Sequence, residues 1–121
     1  MFRFNHFNFN VSDLNKSLAF YREALGLSPV RTIDTDEFTI VFLGDGADTF
    51  SLELTRLKDR TEPYDLGEQE FHLALTTEDM AAARKKHEAM GAVVFVNEAM
   101  GIYFIEDPDG YWIEIIPEKK R

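Results

Sequence analysis

The sequence predicts an α+β protein in which a strand, a helix and three further strands occur twice. Three observations carry this. Period-two apolar alternation gives way to a helical stripe and returns, in the same order, in both halves. The spacing repeats as well: His6 lies seven residues before Asp13 and His72 seven before Asp79, while Gly26 follows His6 by twenty and Gly91 follows His72 by nineteen. Each half also closes on an acidic residue between two aliphatic ones, Leu52-Glu53-Leu54 and Ile113-Glu114-Ile115.

The elements follow in order. Residues 2–11 alternate as a strand, with Asn5, Phe7, Phe9 and Val11 on one face and Phe4, His6, Asn8 and Asn10 on the other. Ser12 or Asp13 caps a helix running to about Leu25, whose stripe is Leu14, Leu18, Tyr21 and Leu25, and Gly26 stops it. Strands are expected near Pro29–Ile33, Phe38–Leu43 and Thr49–Arg56, with Gly44-Asp45-Gly46 turning between the last two. Repeat 1 spans about 1–57, a charged linker holding Pro63 and Gly67 covers 58–69, and repeat 2 spans about 70–121. Within repeat 2, Glu70–Thr77 reads as a strand, Thr77 or Asp79 caps a helix through Met90, and strands follow near Val93–Asn97, Ile102–Glu106 and Tyr111–Ile116. The last two form a hairpin, because Asp107-Pro108-Asp109-Gly110 has turn chemistry at every position.

Composition bounds the function. A chain of 121 residues with 45% apolar residues holds one domain and a core, which eleven Phe make aromatic-rich. No cysteine is present, which removes disulfides and thiolate zinc sites and suits a reducing, cytoplasmic setting. The net charge of −9 argues against nucleic acid and anionic membrane as partners. The first ten residues interrupt their Phe with Arg, Asn and His, so they are not a signal peptide, and no segment has transmembrane length.

Four residues stand out. His6 and His72 occupy the first strand of each repeat, Glu53 and Glu114 the last. Period-two logic turns Glu53 to the side of Ser51 and Thr55, His72 to that of Ala74 and Thr76, and Glu114 to that of Trp112 and Ile116. The greasier faces pack on helices, so these sides line the other surface of a curved sheet. A single strand His is more often satisfied locally, and a single strand Glu is more often solvated. Equivalence across two repeats makes convergence on one divalent cation the stronger reading, and imidazole with carboxylate suits Ni, Co, Zn, Fe or Mn. His87 falls on the stripe of Met80, Ala83 and Met90 and reads as a helix-surface or core-edge residue. Lys85, Lys86 and the tail Lys119-Lys120-Arg121 read as solvated charge.

These residues resemble the vicinal oxygen chelate superfamily, and within it glyoxalase I. The matching pieces are His6 with Val11-Ser12-Asp13-Leu14, Ser17-Leu18-Ala19-Phe20-Tyr21, Leu25-Gly26-Leu27, Leu52-Glu53-Leu54-Thr55, Tyr64-Asp65-Leu66-Gly67, Phe71-His72-Leu73-Ala74-Leu75 and Phe104 to Glu114. The resemblance implies two βαβββ repeats forming a curved mixed sheet, the glyoxalase/bleomycin-resistance/dioxygenase fold. It implies a homodimer with metal sites near the subunit interface. It also implies one divalent metal ion per site, held by His6, Glu53, His72 and Glu114, with nickel or cobalt favoured and zinc the further candidate. The implied function is isomerisation of the hemithioacetal of a 2-oxoaldehyde such as methylglyoxal through an enediolate, as in methylglyoxal detoxification. Glu114 would be the base and Glu53 a ligand and second base. Asn8, Asn10, Thr55 and Trp112 share faces with these residues and are candidate substrate contacts. Other reactions of the superfamily, epimerisation or dioxygenation, and a non-catalytic small-molecule-binding protein are the alternatives.

The chain departs from the family's glutathione-holding residues. An Arg common near the end of the first strand is Asn10 here, an Asn common four residues after the first ligand Glu is Leu57, and the short loop Asn97-Glu98-Ala99-Met100-Gly101 lacks the usual Lys. A glutathione adduct is therefore expected to be a poor substrate or to bind in an altered pose, with a different thiol or another small 2-oxo or hydroxy-acid compound preferred, unless Arg56 or Arg60 takes over.

Overall fold

The computed structural model describes residues 1–47 and 49–119; Lys120 and Arg121 of the basic tail lie outside them. The chain divides into two compact units, Met1–Asp65 and Leu66–Arg121.

In the first unit β1 (His6–Asn10) leads into α1 (Leu14–Leu25), followed by β2 (Ser28–Asp34), β3 (Phe38–Gly44) and β4 (Ser51–Leu57). The strands form one mixed sheet in the order β1-β4-β3-β2, with β1 parallel to β4 and the remaining pairs antiparallel. Asp13 caps α1 by accepting from the Lys16 N–H at 3.1 Å. Gly26 ends it at φ 67°, and a side chain there would meet nothing within 4 Å, so backbone conformation rather than space requires the glycine. The helix buries Ser17, Tyr21 and Ala24, and the expected stripe residues Leu14, Leu18 and Leu25 flank them half-buried. Phe9, Val11, Leu27, Val41, Leu43, Leu52 and Leu54 are also buried in this unit's core. β1 begins at His6, so the alternation from residue 2 does not extend the strand that far.

The second unit repeats the plan with β5 (Leu73–Thr77), α2 (Met80–Ala89), β6 (Val93–Asn97), β7 (Ile102–Glu106) and β8 (Trp112–Pro117). Its mixed sheet has the order β5-β8-β7-β6, with β5 parallel to β8. Asp79 caps α2 by accepting from the Ala82 N–H at 3.0 Å. The turn before β8 is closed by Asp107, whose Oδ1 accepts from the N–H groups of Asp109 and Tyr111, both at 2.9 Å, while Gly110 takes φ 96°. Two expectations are corrected. β5 starts at Leu73 rather than Glu70, which leaves His72 immediately ahead of the strand. His87 is not a surface or edge residue: it is 2% exposed, and its Nδ1 lies 2.7 Å from the Tyr103 hydroxyl. Burial pushes the Tyr103 phenol up to about 12, against the opposing pull of Arg84. The pair therefore belongs to the core, where its hydrogen bond contributes on the order of 1 kcal/mol.

Candidate metal centre

In the first unit the parallel register sets Asn8 against Glu53 and Asn10 against Thr55. His6, Asn8 and Asn10 thus share a face with Ser51, Glu53 and Thr55, while Phe7 and Phe9 alternate away. His6 Nε2 stands 2.5 Å from Glu53 Oε2. Glu53 is only 8% exposed, and a carboxylate that deep needs a partner; His6, half open to solvent, provides it. The other imidazole nitrogen, Nδ1, lies 2.6 Å from Asn5 Oδ1. Beside the pair runs a polar row: the Thr55 hydroxyl donates to Asn8 Oδ1 at 2.5 Å, and Asn8 Nδ2 donates to Asn10 Oδ1 at 2.8 Å.

Sequence reasoning missed a residue on this same face. Phe42 is the cross-strand partner of Glu53, and Arg31 is the partner of Phe42. The Arg31 guanidinium sits 5.3 Å over the Phe42 ring. Two strand spacings put this cation roughly 10 Å from Glu53 across the sheet. Lys58 and Arg60 are engaged elsewhere. Lys58 pairs with Asp34 at 2.8 Å, a hydrogen bond that holds the Asp34 carboxyl below its ordinary range. Arg60 donates to the Glu62 and Pro63 carbonyls, both at 2.9 Å, and lies over the Tyr64 ring. Arg56 alternates to the face opposite Glu53 and Thr55. In this arrangement Arg60 is engaged with its own loop, and Arg56 lies on the face opposite Glu53.

In the second unit Ala74 is the register partner of Glu114, and His72 precedes Ala74 by two residues. His72 Nε2 lies 3.4 Å from Glu114 Oε1. Glu114 is more open than Glu53 and has Phe104 as its antiparallel neighbour. The His72 ring meets Phe104 edge-on at 5.0 Å. Trp112, on the Glu114 face, packs on Phe104 at 5.5 Å and stacks on Phe95 at 6.5 Å. The second pair is therefore walled by aromatic rings, whereas the first is bordered by amides and a hydroxyl.

Each unit thus gathers one imidazole and one carboxylate. Among the described residues no group of three or more His, Cys, Asp or Glu side chains is brought together. The donors fit a divalent ion in type. Two ligands at about 2.1 Å from an ion and at right angles are about 3.0 Å apart. The His72–Glu114 separation of 3.4 Å is already that of neighbouring ligands. The His6–Glu53 separation of 2.5 Å is a hydrogen-bond distance, so the two lone pairs face one proton or, after opening by about half an ångström, one cation.

Comparison with known proteins addresses the family. A family model described as Glyoxalase/Bleomycin resistance protein/Dioxygenase superfamily matches residues 3–115. The chain is 41% identical over 128 residues to the lactoylglutathione lyase of Neisseria meningitidis serogroup A, covering 97% of this chain and 91% of that protein. A probable lactoylglutathione lyase of Synechocystis is 38% identical, covering 96% of this chain and 95% of the relative. Among solved structures, the trypanothione-dependent glyoxalase I of Leishmania major superposes with a TM-score of 0.87 at 34% identity, over 98% of this chain and 88% of that one. With a family model spanning nearly its whole length and lactoylglutathione lyases aligned almost end to end, the chain belongs to the glyoxalase/bleomycin resistance protein/dioxygenase superfamily and is glyoxalase I-like within it.

Proposed function

We propose that this protein is a glyoxalase I-type isomerase, acting on the hemithioacetal that a 2-oxoaldehyde forms with a thiol. The observation that carries the reading is the presence of one His–Glu pair in each repeat, at 2.5 Å and 3.4 Å, at matching places in the two sheets. His6, Glu53, His72 and Glu114 would hold one divalent ion, nickel or cobalt before zinc. When bound, such an ion polarises the two adjacent oxygens of the substrate and offsets the charge left by proton loss. The chain's own groups do the rest. Glu114 takes the proton from the carbon that bears sulfur and returns it to the neighbouring carbon, so that the hydroxy thioester forms with no net gain or loss of atoms. Glu53, deeper and closer to its imidazole, holds position. The aromatic wall of Phe95, Phe104 and Trp112 shields the proton on Glu114 from water.

The two pairs lie in different units of the chain, and four donors are needed around one ion. We propose that a homodimer with isologous contacts completes the sites. The half-open Phe95, on the Glu114 face of the second unit, favours a covered face there. Light scattering should give about twice the 14.0 kDa chain mass; a monomer that still holds metal tightly would contradict the dimer.

The thiol end of the adduct needs its own contacts. With Asn10 in place of an Arg and Arg60 tied to carbonyls, Arg31 offers a cation on the Glu53 face. A glutathione carboxylate would be held there, in a pose displaced across the sheet. The test is an assay of metal-reconstituted protein with methylglyoxal and glutathione, alongside other cellular thiols. Isomerisation with at least one thiol is expected, and its absence with every thiol and every metal would overturn the function. In Arg31→Ala the KM for the glutathione adduct should rise severalfold with kcat little changed, as for uniform binding. An unchanged KM would remove Arg31 from the site.

A further inference from the structure

We infer that Asn5 is a positioning residue for His6, fixing its imidazole so that Nε2 rather than Nδ1 is presented beside Glu53. This rests on the proposed metal-holding role of His6. The Asn5 side-chain oxygen, 2.6 Å from Nδ1, is only an acceptor, so the facing ring nitrogen must carry the hydrogen. A neutral imidazole has one N–H. With that N–H held on Nδ1, the proton that Nε2 shares with the Glu53 carboxyl is the one a cation displaces, and the Nε2 lone pair then faces the cation.

Two features show that Asn5 is built into this position. It lies just outside β1, yet its carbonyl accepts from the Ser51 N–H at 3.1 Å, which docks its backbone on the start of β4. The imidazole it holds is 46% exposed, so packing alone does not fix the ring. The second repeat handles its imidazole differently. The residue before His72 is Phe71, which packs on Tyr111 and offers no acceptor, while the His72 ring is braced edge-on by Phe104. The positions preceding the two histidines have diverged, an amide in one repeat and an aromatic ring in the other. Only His6 has a side-chain amide beside it in sequence, and spacing alone gave no reason to single Asn5 out.

The test compares wild type with Asn5→Ala and Asn5→Asp by two readouts. The first is the ¹⁵N chemical shift of the ring nitrogens of His6 in the metal-free protein, with His72 as internal control. The second is metal affinity by competition with a chelator. Asn5→Ala should shift the His6 ring signals away from a protonated Nδ1, leave His72 unchanged and weaken metal binding about 10- to 100-fold, the usual cost of losing such a partner. Asn5→Asp, which keeps an acceptor, should restore both. Unchanged His6 signals with affinity within about twofold would overturn the inference, and so would a loss that Asn5→Asp fails to restore. If wild type bound no metal, the site reading would fall, while the ring shifts would still decide whether Asn5 holds the imidazole.

Discussion

Replacing Glu114 with Gln should lower turnover by a factor on the order of a hundred or more. The amide is nearly the same size and keeps one oxygen to face an ion, but it cannot take up a proton. Glu114 is the better placed of the two carboxylates for that task. It lies 3.4 Å from its imidazole, against 2.5 Å for Glu53, so its lone pairs are less committed, and it stands beside Phe104 and near Trp112 on the more open face. Glu53→Gln should behave differently. It removes a charge from a buried position, so metal is held more weakly, yet a fraction of the activity persists in protein saturated with metal. The measurement is kcat for both variants at saturating metal. Equal kcat in Glu114→Gln and wild type would overturn the assignment of the base.

His72→Ala should abolish most metal binding and, with it, most activity. The His72 side chain is 39% exposed and precedes β5 rather than lying within it, so the substitution removes a donor without opening a core cavity. Thermal unfolding of the metal-free protein should therefore change little. A large loss of metal at unchanged stability would separate a ligand from a structural residue. A variant that unfolds early instead would place His72 in the packing around Phe104 and Tyr111.

Much of this arrangement is legible in the sequence because it depends on local chemistry. Asp13 and Asp79 cap their helices through their own side chains, Gly26 ends the first at a positive φ, and Asp107 closes the last turn with its own carboxylate. Period-two alternation puts Glu53 and Glu114 opposite the buried Leu52, Leu54, Ile113 and Ile115. What escaped the reading depends on partners distant in the chain. β5 begins at Leu73 because pairing with β8 begins at Leu73 and Ile113, and residues 70–72 have no ladder to join. His87, in α2, is buried against Tyr103 of β7, which supplies a hydroxyl that no helical stripe reveals. Arg31 reaches the Glu53 face through an irregularity between Pro29 and Arg31 that shifts the register of the edge strand. The departure at Asn10 is plain in the sequence, whereas Arg31 emerges only from the cross-strand order of Arg31, Phe42 and Glu53.

Two His–Glu pairs are proposed to serve a single ion. Metal content per chain, measured after reconstitution and dialysis in wild type, His6→Ala and His72→Ala, tests it most directly. One ion per chain in wild type, with nearly none in either variant, is the predicted result, because removing a donor from one pair would empty the shared site. Two ions per chain in wild type, or half of the metal retained when one histidine is removed, would show that the pairs act separately and contradict the account.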